Sequence, residues 1–210
     1  MPNLSLRFAH LRRFALAALL GLSAAVAAAT PAAALTAEEQ AALGRASQYV
    51  NGLSAITGRF TQTGPDGRRI GGTYYIERPG KIRFDYDDPS TLQIIGDGRF
   101  VAVRNTSKNT HDSYPLGRTP LRYLVSPNVD LARDAQVLGV YTDPARTTLV
   151  LADSQSGQGR LSLTFDEPDF QLKQWTVTDA QGLDTTVVLE SMQSGDGLPD
   201  RLFNIPRIQN

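Results

Sequence analysis

From about residue 55 onward, the sequence alternates apolar and polar residues in short segments, and turn residues separate one segment from the next. The clearest segment runs from Lys81 to Tyr86, where Ile82, Phe84 and Tyr86 share one face and charged residues occupy the other. Turn signals such as Pro-Asp-Gly, Asp-Asp-Pro-Ser and Gln-Gly lie between segments. This pattern predicts antiparallel strands joined by short turns, with one face of the sheet packed and the other in water.

The chain contains about ten such segments. They are Ile56 to Thr63, Ile70 to Arg78, Lys81 to Tyr86, Thr91 to Gly96, Arg99 to Arg104, Gln136 to Thr142, Thr147 to Ala152, Arg160 to Asp166, Leu172 to Asp179 and Thr185 to Met192. A sheet of this many short strands curls, and a nearly closed sheet can hold a ligand on its inner face. We therefore expect an α+β fold with a strongly curved, barrel-like antiparallel sheet and few helices.

One amphipathic helix precedes the strands, from about Thr36 to Asn51. Thr36 and Glu39 have the spacing of a capping box, and Gly52 provides the stop signal. The apolar stripe of this helix consists of Ala42, Leu43, Ala46, Tyr49 and Val50.

A second, very short helix is predicted where the strand pattern breaks, between about residues 105 and 133. Thr119 can cap it with Pro120 in the first position, and Leu121 and Leu124 lie along one side. A helix this short is unstable alone in water, so we expect it to lie on the apolar face of the sheet. The helices either fill the sheet to give a dry core or form a lid over a hydrophobic cavity, and the pattern alone allows both.

Arg78 stands out because strand alternation places it on the same face as Tyr74 and Ile76. A guanidinium turned inward needs acceptors, and the backbone carbonyls at the end of a lid helix could supply them. Arg78 would then fasten the lid to the sheet. The alternative is that its side chain extends from the strand end into water.

The charge balance and the lack of cysteine exclude several classes of function. The 210 residues carry 21 basic and 21 acidic side chains, so we expect no nucleic-acid partner. Without cysteine there is no thiolate nucleophile and no site for a cysteine-linked lipid. His111 is predicted to be a solvated loop residue, and Asp85, Asp87 and Asp88 lack the rest of a calcium loop. We expect no catalysis, no cofactor and no metal.

The N-terminal segment has the pattern of a secretory signal peptide. Arg7, Arg12 and Arg13 precede an apolar run over residues 14–29, and Ala34 ends a small-residue cleavage pattern. We predict a cleaved signal over residues 1–34, followed by a single exported domain over residues 35–210. A retained membrane anchor is the alternative.

Short fragments along the chain match the motifs of one protein family in the family's order. They are Phe60-Thr61-Gln62, Gly72, Ile76 to Tyr86, Pro89, Asp97-Gly98, Thr119-Pro120-Leu121, Trp175, Asp179, Gly182 and Leu202 to Pro206. With these fragments, the chain resembles the periplasmic outer-membrane lipoprotein carrier (LolA) family over nearly all of residues 35–210.

The resemblance implies a half-open antiparallel β-barrel with a helical lid over an apolar cavity. It also implies a monomeric, non-enzymatic periplasmic chaperone that receives lipid-modified proteins from an inner-membrane ABC transporter and delivers them to an outer-membrane acceptor lipoprotein. Arg78 matches the family arginine that holds the lid to the barrel. On this basis we predict that the acyl chains contact Phe60, Tyr74, Ile76, Ile82, Phe84, Leu92, Ile94 and Trp175 on the sheet, and Leu121 and Leu124 on the lid.

Other functions on a similar fold stay open. A lipid-sensing regulatory domain and a phospholipid-binding periplasmic protein would need the same kind of cavity. A third class is an envelope enzyme. The sequence argues against it, because it lacks an assembled catalytic pattern.

Overall fold

A computed structural model of the protein describes residues 34–153 and 159–206, and one antiparallel sheet dominates it. This part of the chain contributes 12 strands to the sheet. They are β1 Ala55–Thr63, β2 Arg69–Glu77, β3 Lys81–Tyr86, β4 Leu92–Asp97, β5 Phe100–Asn105, β6 Thr110–Pro115, β7 Gln136–Thr142, β8 Arg146–Asp153, β9 Gly159–Asp166, β10 Gln171–Thr178, β11 Asp184–Leu189 and β12 Gln193–Gly195. The predicted signal peptide, except Ala34, and the tail 207–210 lie outside the described residues.

The strand order is β6-β5-β4-β3-β2-β1-β11-β10-β9-β8-β7, and β12 also pairs with β1. Most neighbours are therefore consecutive hairpins, and β1 joins the two halves of the sheet by pairing with β11. Strands β6 and β7 occupy the two edges, and no ladder among the described strands joins them. The curved, unclosed antiparallel sheet predicted from the alternation is confirmed.

Two of the strands were absent from the sequence prediction. Strand β6 has almost no buried side chain, because it is an edge strand with polar residues on both faces. His111, predicted to lie in a solvated loop, is instead a half-buried residue of β6 opposite Arg104. Strand β12 has only three residues, all of them exposed.

The predicted N-terminal helix is present as α1, Ala37–Gly52. Its capping box is formed, with the Glu39 backbone N–H donating to the Thr36 hydroxyl at 3.2 Å and the Thr36 N–H donating to the Glu39 carboxylate at 2.7 Å. Its buried stripe packs into the same apolar cluster as the inner face of the sheet. Tyr49 contacts Phe165 of β9 edge-to-face, with 5.6 Å between ring centroids.

The crossover from β6 to β7 carries three short helical pieces. They are a 3-10 turn at Leu116–Arg118, helix α2 at Arg122–Val125 and helix α3 at Leu131–Asp134. The predicted capping role of Thr119 is wrong, because its hydroxyl donates to the Leu116 carbonyl at 2.9 Å and completes the 3-10 turn. Helix α2 begins later, at Arg122, and has no side-chain cap.

The C-terminal segment packs against the opposite face of the sheet. Phe203, only 2% exposed, is the last residue of a short 3-10 turn, Asp200–Phe203, that contacts β3 and β4. The guanidinium of Arg83 donates to the Leu202 carbonyl at 2.9 Å, and the Lys81 ammonium donates to the Asp200 carboxylate at 2.6 Å. Within residues 34–153 and 159–206, none of the helices is both long and apolar enough to span a membrane.

Candidate functional site

A cavity of about 220 Å³ lies between the inner face of the sheet and the segment that leads into α2. Its walls are mostly apolar side chains, and none of the described residues that line it is charged. Phe84 and Trp175 contact each other edge-to-face across it, with 6.0 Å between ring centroids. Such a cavity favours an apolar ligand of modest size.

Strand register brings the lining residues together. Phe84 of β3 lies opposite Ile94 of β4, and Ile94 lies opposite Val103 of β5. On the other side, Trp175 of β10 lies opposite Val187 of β11. Because side chains alternate across a strand, these directly paired residues share the inner face and form a continuous apolar wall.

Arg78 fastens the end of α2 to the sheet. Its guanidinium donates to the carbonyl of Leu124 at 2.5 Å, to that of Ser126 at 2.8 Å and to the side-chain oxygen of Asn51 at 2.9 Å. Burial lowers the pKa of Arg78, but a guanidinium remains charged in proteins, so these hydrogen bonds are charge-assisted. The Gly80 N–H donates to the Val125 carbonyl at 2.8 Å and adds a backbone contact beside them.

Asn51, in the last turn of α1, is a second fastening point. Its side-chain amide donates to the Val129 carbonyl at 2.7 Å and accepts from the Val129 N–H at 2.9 Å. One turn earlier, the Ser47 hydroxyl accepts from the Leu131 N–H at 3.0 Å. Helix α1 therefore holds the segment between α2 and α3, and the same Asn51 oxygen positions the guanidinium of Arg78.

The family match follows from the sequence as a whole. The sequence model of the family described as "Outer membrane lipoprotein carrier protein LolA" matches residues 51–206. The chain belongs to this LolA family. The match covers the sheet from β1 onward, the crossover with α2 and α3, and the arginine at position 78.

Two curated relatives of this LolA-family chain carry the name outer-membrane lipoprotein carrier protein. The one from Alkalilimnicola ehrlichii is 29% identical over 54% of this chain, and the chain spans only 56% of that relative's length. The one from Chromobacterium violaceum is 26% identical over 84% of this chain and 89% of that protein. A crystal structure of a putative outer membrane lipoprotein-sorting protein domain from Vibrio parahaemolyticus has the same fold, with a TM-score of 0.50 at 9% identity over 79% of this chain and 95% of the other.

The residues predicted to contact acyl chains fall into three groups. Four line the cavity, namely Phe84, Ile94, Leu121 and Trp175. Five are buried in the packed core instead, namely Phe60, Tyr74, Ile76, Ile82 and Leu124. Leu92 is half-buried and lines a separate, more polar depression beside β6. The four strand residues of the core group face inward as predicted from parity, but they pack in one cluster with residues of α1 and of the crossover, Leu124 among them.

Several residues that line the cavity were not predicted from the sequence, although strand alternation places them on the inner face. Gln62, Tyr86 and Val177 each stand two residues beyond a predicted position on the same strand, so alternation alone places them on the inner face. Further along the wall are Val101, Val103, Tyr114, Thr185 and Val187, and the crossover adds Thr119 and Pro120. Asn51 was also missed, because nothing in the helix pattern indicates the acceptors that it meets.

Of the three acidic residues considered as a cation site, Asp85 and Asp87 have basic partners. Asp87 forms an ion pair with Arg59, which lowers the pKa of its carboxyl. Asp85 accepts from Arg83 at 2.7 Å and from the Gln93 amide at 2.5 Å. In the part of the chain that the structure describes, no group of three or more His, Asp or Glu residues is placed to hold a metal ion.

Proposed function

We propose that this chain is a soluble periplasmic chaperone that binds the acyl chains of lipoproteins released from the inner membrane and carries them to the outer membrane. The observation that carries the proposal is the uncharged, mostly apolar cavity beneath a crossover that side chains fasten to the sheet. Membership in the LolA family and the names of the curated relatives point to the same cargo class.

The physical need for such a carrier is large. Burial of one methylene contributes about 0.8 kcal/mol, so keeping an acyl chain of about 16 carbons out of water contributes roughly 13 kcal/mol. A lipoprotein cannot cross an aqueous compartment without a protein that covers its chains. Covering them requires no covalent step, which agrees with a wall built from side chains such as Phe84 and Val187 rather than from nucleophiles.

The cavity is smaller than its proposed cargo. At about 220 Å³ it is below the roughly 300–1,000 Å³ of sites that enclose drug-sized ligands. Loading therefore requires the crossover to move away from the sheet. The three hydrogen bonds of Arg78 make this residue the proposed latch of the lid.

The proposal implies two partners at the ends of the route. An inner-membrane ABC transporter would supply the lipoprotein, and an outer-membrane acceptor, where one exists, would receive it. The carrier would act as a monomer between them. If the protein purified from the periplasm carries phospholipids and no lipoproteins, the phospholipid-binding or lipid-sensing function replaces the carrier function.

The direct test is depletion of the protein in its host. We expect outer-membrane lipoproteins to accumulate at the inner membrane, as measured by fractionation and immunoblotting. Normal lipoprotein sorting after complete removal, in a host with no second carrier, would refute the carrier function.

A two-step assay tests the latch by measuring release from inner membranes separately from delivery to outer membranes. Arg78→Leu removes the polar contacts and adds an apolar side chain, so we expect loading to persist and delivery to fall. Arg78→Lys should be intermediate, because one ammonium cannot copy the planar guanidinium. Arg118→Leu, which changes an exposed arginine of the 3-10 turn, serves as the matched control. Parental loading and delivery by Arg78→Leu would show that the latch has no role in transport.

A further inference from the structure

A hydrogen-bonded polar pair lies in the mostly apolar wall of the cavity. The Tyr86 hydroxyl donates to the side-chain oxygen of Gln62 at 2.6 Å, and both residues line the cavity. They belong to β3 and β1, with β2 lying between them. In register, Gly72 of β2 lies between Tyr86 and Phe60, and a Cβ at this position would come within 2.5 Å of the Phe60 ring. The missing side chain lets Tyr86 pack edge-to-face on Phe60 and reach Gln62.

In this pair Tyr86 is the hydrogen-bond donor and Gln62 the acceptor. Burial raises the pKa of Tyr86, so its hydroxyl stays protonated and available as a donor. Because that donor engages the Gln62 side-chain oxygen, the two N–H bonds of the Gln62 amide point elsewhere. Within the described residues, this amide nitrogen has no protein acceptor. Among the described residues, every fully buried side-chain nitrogen or oxygen has a hydrogen-bond partner, so this nitrogen is not fully buried and is open to an acceptor that enters the cavity.

The pair also has a defined position along the cavity. Tyr86 is the last residue of β3 and Gln62 the second-last residue of β1, and register places Gln62 opposite Ile70, near the start of β2. Arg78 follows the other end of β2. The amide therefore lies toward the end of the sheet remote from the latch, and the apolar wall of Phe84 and Trp175 is the part that an acyl tail would contact.

We propose that the Gln62 amide, held in place by Tyr86, donates to the carbonyl oxygen of the ester or amide that links an acyl chain to its parent molecule. The inference rests on the proposed acyl-binding function and adds recognition of the linkage. A neutral donor in a wall without charged residues suits a neutral carbonyl, whereas a phosphate or a free carboxylate is usually met by Arg or Lys. The site would thus select acyl linkages over plain alkyl chains.

Matched lipid probes test the proposal. Monopalmitoylglycerol and its hexadecyl ether analogue share the same chain length and headgroup, but only the ester has a carbonyl. Trp175 is the single tryptophan of the chain and lines the cavity, so its fluorescence reports binding. We expect the ester to bind about 2- to 12-fold more tightly than the ether, the range for one neutral hydrogen bond.

Variants then test whether Gln62 and Tyr86 cause the preference for the ester. Gln62→Leu should bind both probes with the same affinity, and Tyr86→Phe should reduce the preference because the amide loses its fixed orientation. Gln171→Leu, at an exposed position of β10, should keep the parental ratio. Free palmitate distinguishes a carbonyl from a carboxylate as the recognised group.

Each contrary outcome has a definite meaning. Equal binding of ester and ether by the parent protein, or an unchanged ratio in Gln62→Leu, would overturn the carbonyl site while leaving the acyl cavity intact. Tighter binding of palmitate than of the ester would also overturn it, in favour of an anionic headgroup. If neither the ester nor the ether binds, the proposed acyl cavity fails and the carbonyl site fails with it.

Discussion

Replacement of Asn51 by alanine should open the crossover without unfolding the sheet. Asn51→Ala removes two hydrogen bonds to the backbone of Val129 and one acceptor of Arg78, while Arg78 keeps the carbonyls of Leu124 and Ser126. Neutral hydrogen bonds contribute about 0.5–1.5 kcal/mol each and charged ones about 1.5–3 kcal/mol. Because water replaces part of these contacts, we expect the opening free energy to fall by about 2–3 kcal/mol.

Amide hydrogen exchange measures this opening at defined sites. The Gly80 N–H is bonded to the Val125 carbonyl and the Leu131 N–H to the Ser47 hydroxyl, so both report separation of the crossover from the rest of the protein. A change of about 2–3 kcal/mol corresponds to exchange that is roughly 30- to 150-fold faster. Amides of strand β9, which is paired on both sides, should keep their parental rates.

The pattern across sites decides the outcome. Equal acceleration at Gly80 and throughout β9 would mean that Asn51 stabilises the whole fold rather than the crossover. No acceleration at Gly80 would show that the crossover stays closed without Asn51, held by Arg78 and the other crossover contacts. Asn204→Ala, at an exposed position after the C-terminal 3-10 turn, is the matched control and should leave all of these rates unchanged.

Three further predictions follow from the same contacts. Leu121→Glu places a carboxylate in the cavity wall and should weaken binding of a fluorescent fatty-acid probe by about 10-fold or more, whereas Leu121→Met should not; equal binding would contradict the cavity wall. Arg45 holds the pKa of the Glu167 carboxyl below its usual value, so this stabilisation is present above that usual value and is lost as the pH falls through the folded-state pKa. The difference in Tm between the parent and Glu167→Gln should therefore shrink from pH 7 to pH 3, and a constant difference would contradict the ion pair. Phe203→Ala should lower the free energy of unfolding in urea by about 3–5 kcal/mol, and a loss below about 1 kcal/mol would show that the C-terminal segment is not part of the core.

Most of the sheet was predictable because a strand with one buried face shows alternating apolar and polar residues in the sequence. Strand β3 is the clearest case, since Ile82, Phe84 and Tyr86 are all buried and the residues between them are not. Strand β6 shows no such alternation, because both of its faces are largely exposed at the edge of the sheet. Thr119 misled for a related reason: Thr-Pro starts a helix in many chains, but here the hydroxyl meets a carbonyl of the preceding turn.

The candidate site was predictable only up to the inner face. Parity correctly indicates that Tyr74 and Phe84 point to the same side, yet only Phe84 reaches the cavity. The difference depends on where α1 and the crossover lie, and that position is set by contacts between residues far apart in sequence, such as Asn51 with Val129. The hydrogen-bond partners of Arg78 were easier to predict from the sequence, because an inward guanidinium requires acceptors and helix C-termini offer unpaired carbonyls.

Under the proposed function, the strengths of the latch and of the cargo contact must be balanced. The three charge-assisted hydrogen bonds of Arg78 contribute roughly 5–9 kcal/mol to the cost of separating the lid from the sheet. Burying a chain of about 16 carbons returns roughly 13 kcal/mol, which exceeds this contribution, whereas a chain of about six carbons returns only about 5 kcal/mol and does not exceed it. We therefore expect the latch to favour long-chain lipids over short apolar molecules. The same balance favours delivery, because an acceptor that buries the chain equally well lets the lid close again and regain the hydrogen bonds of Arg78.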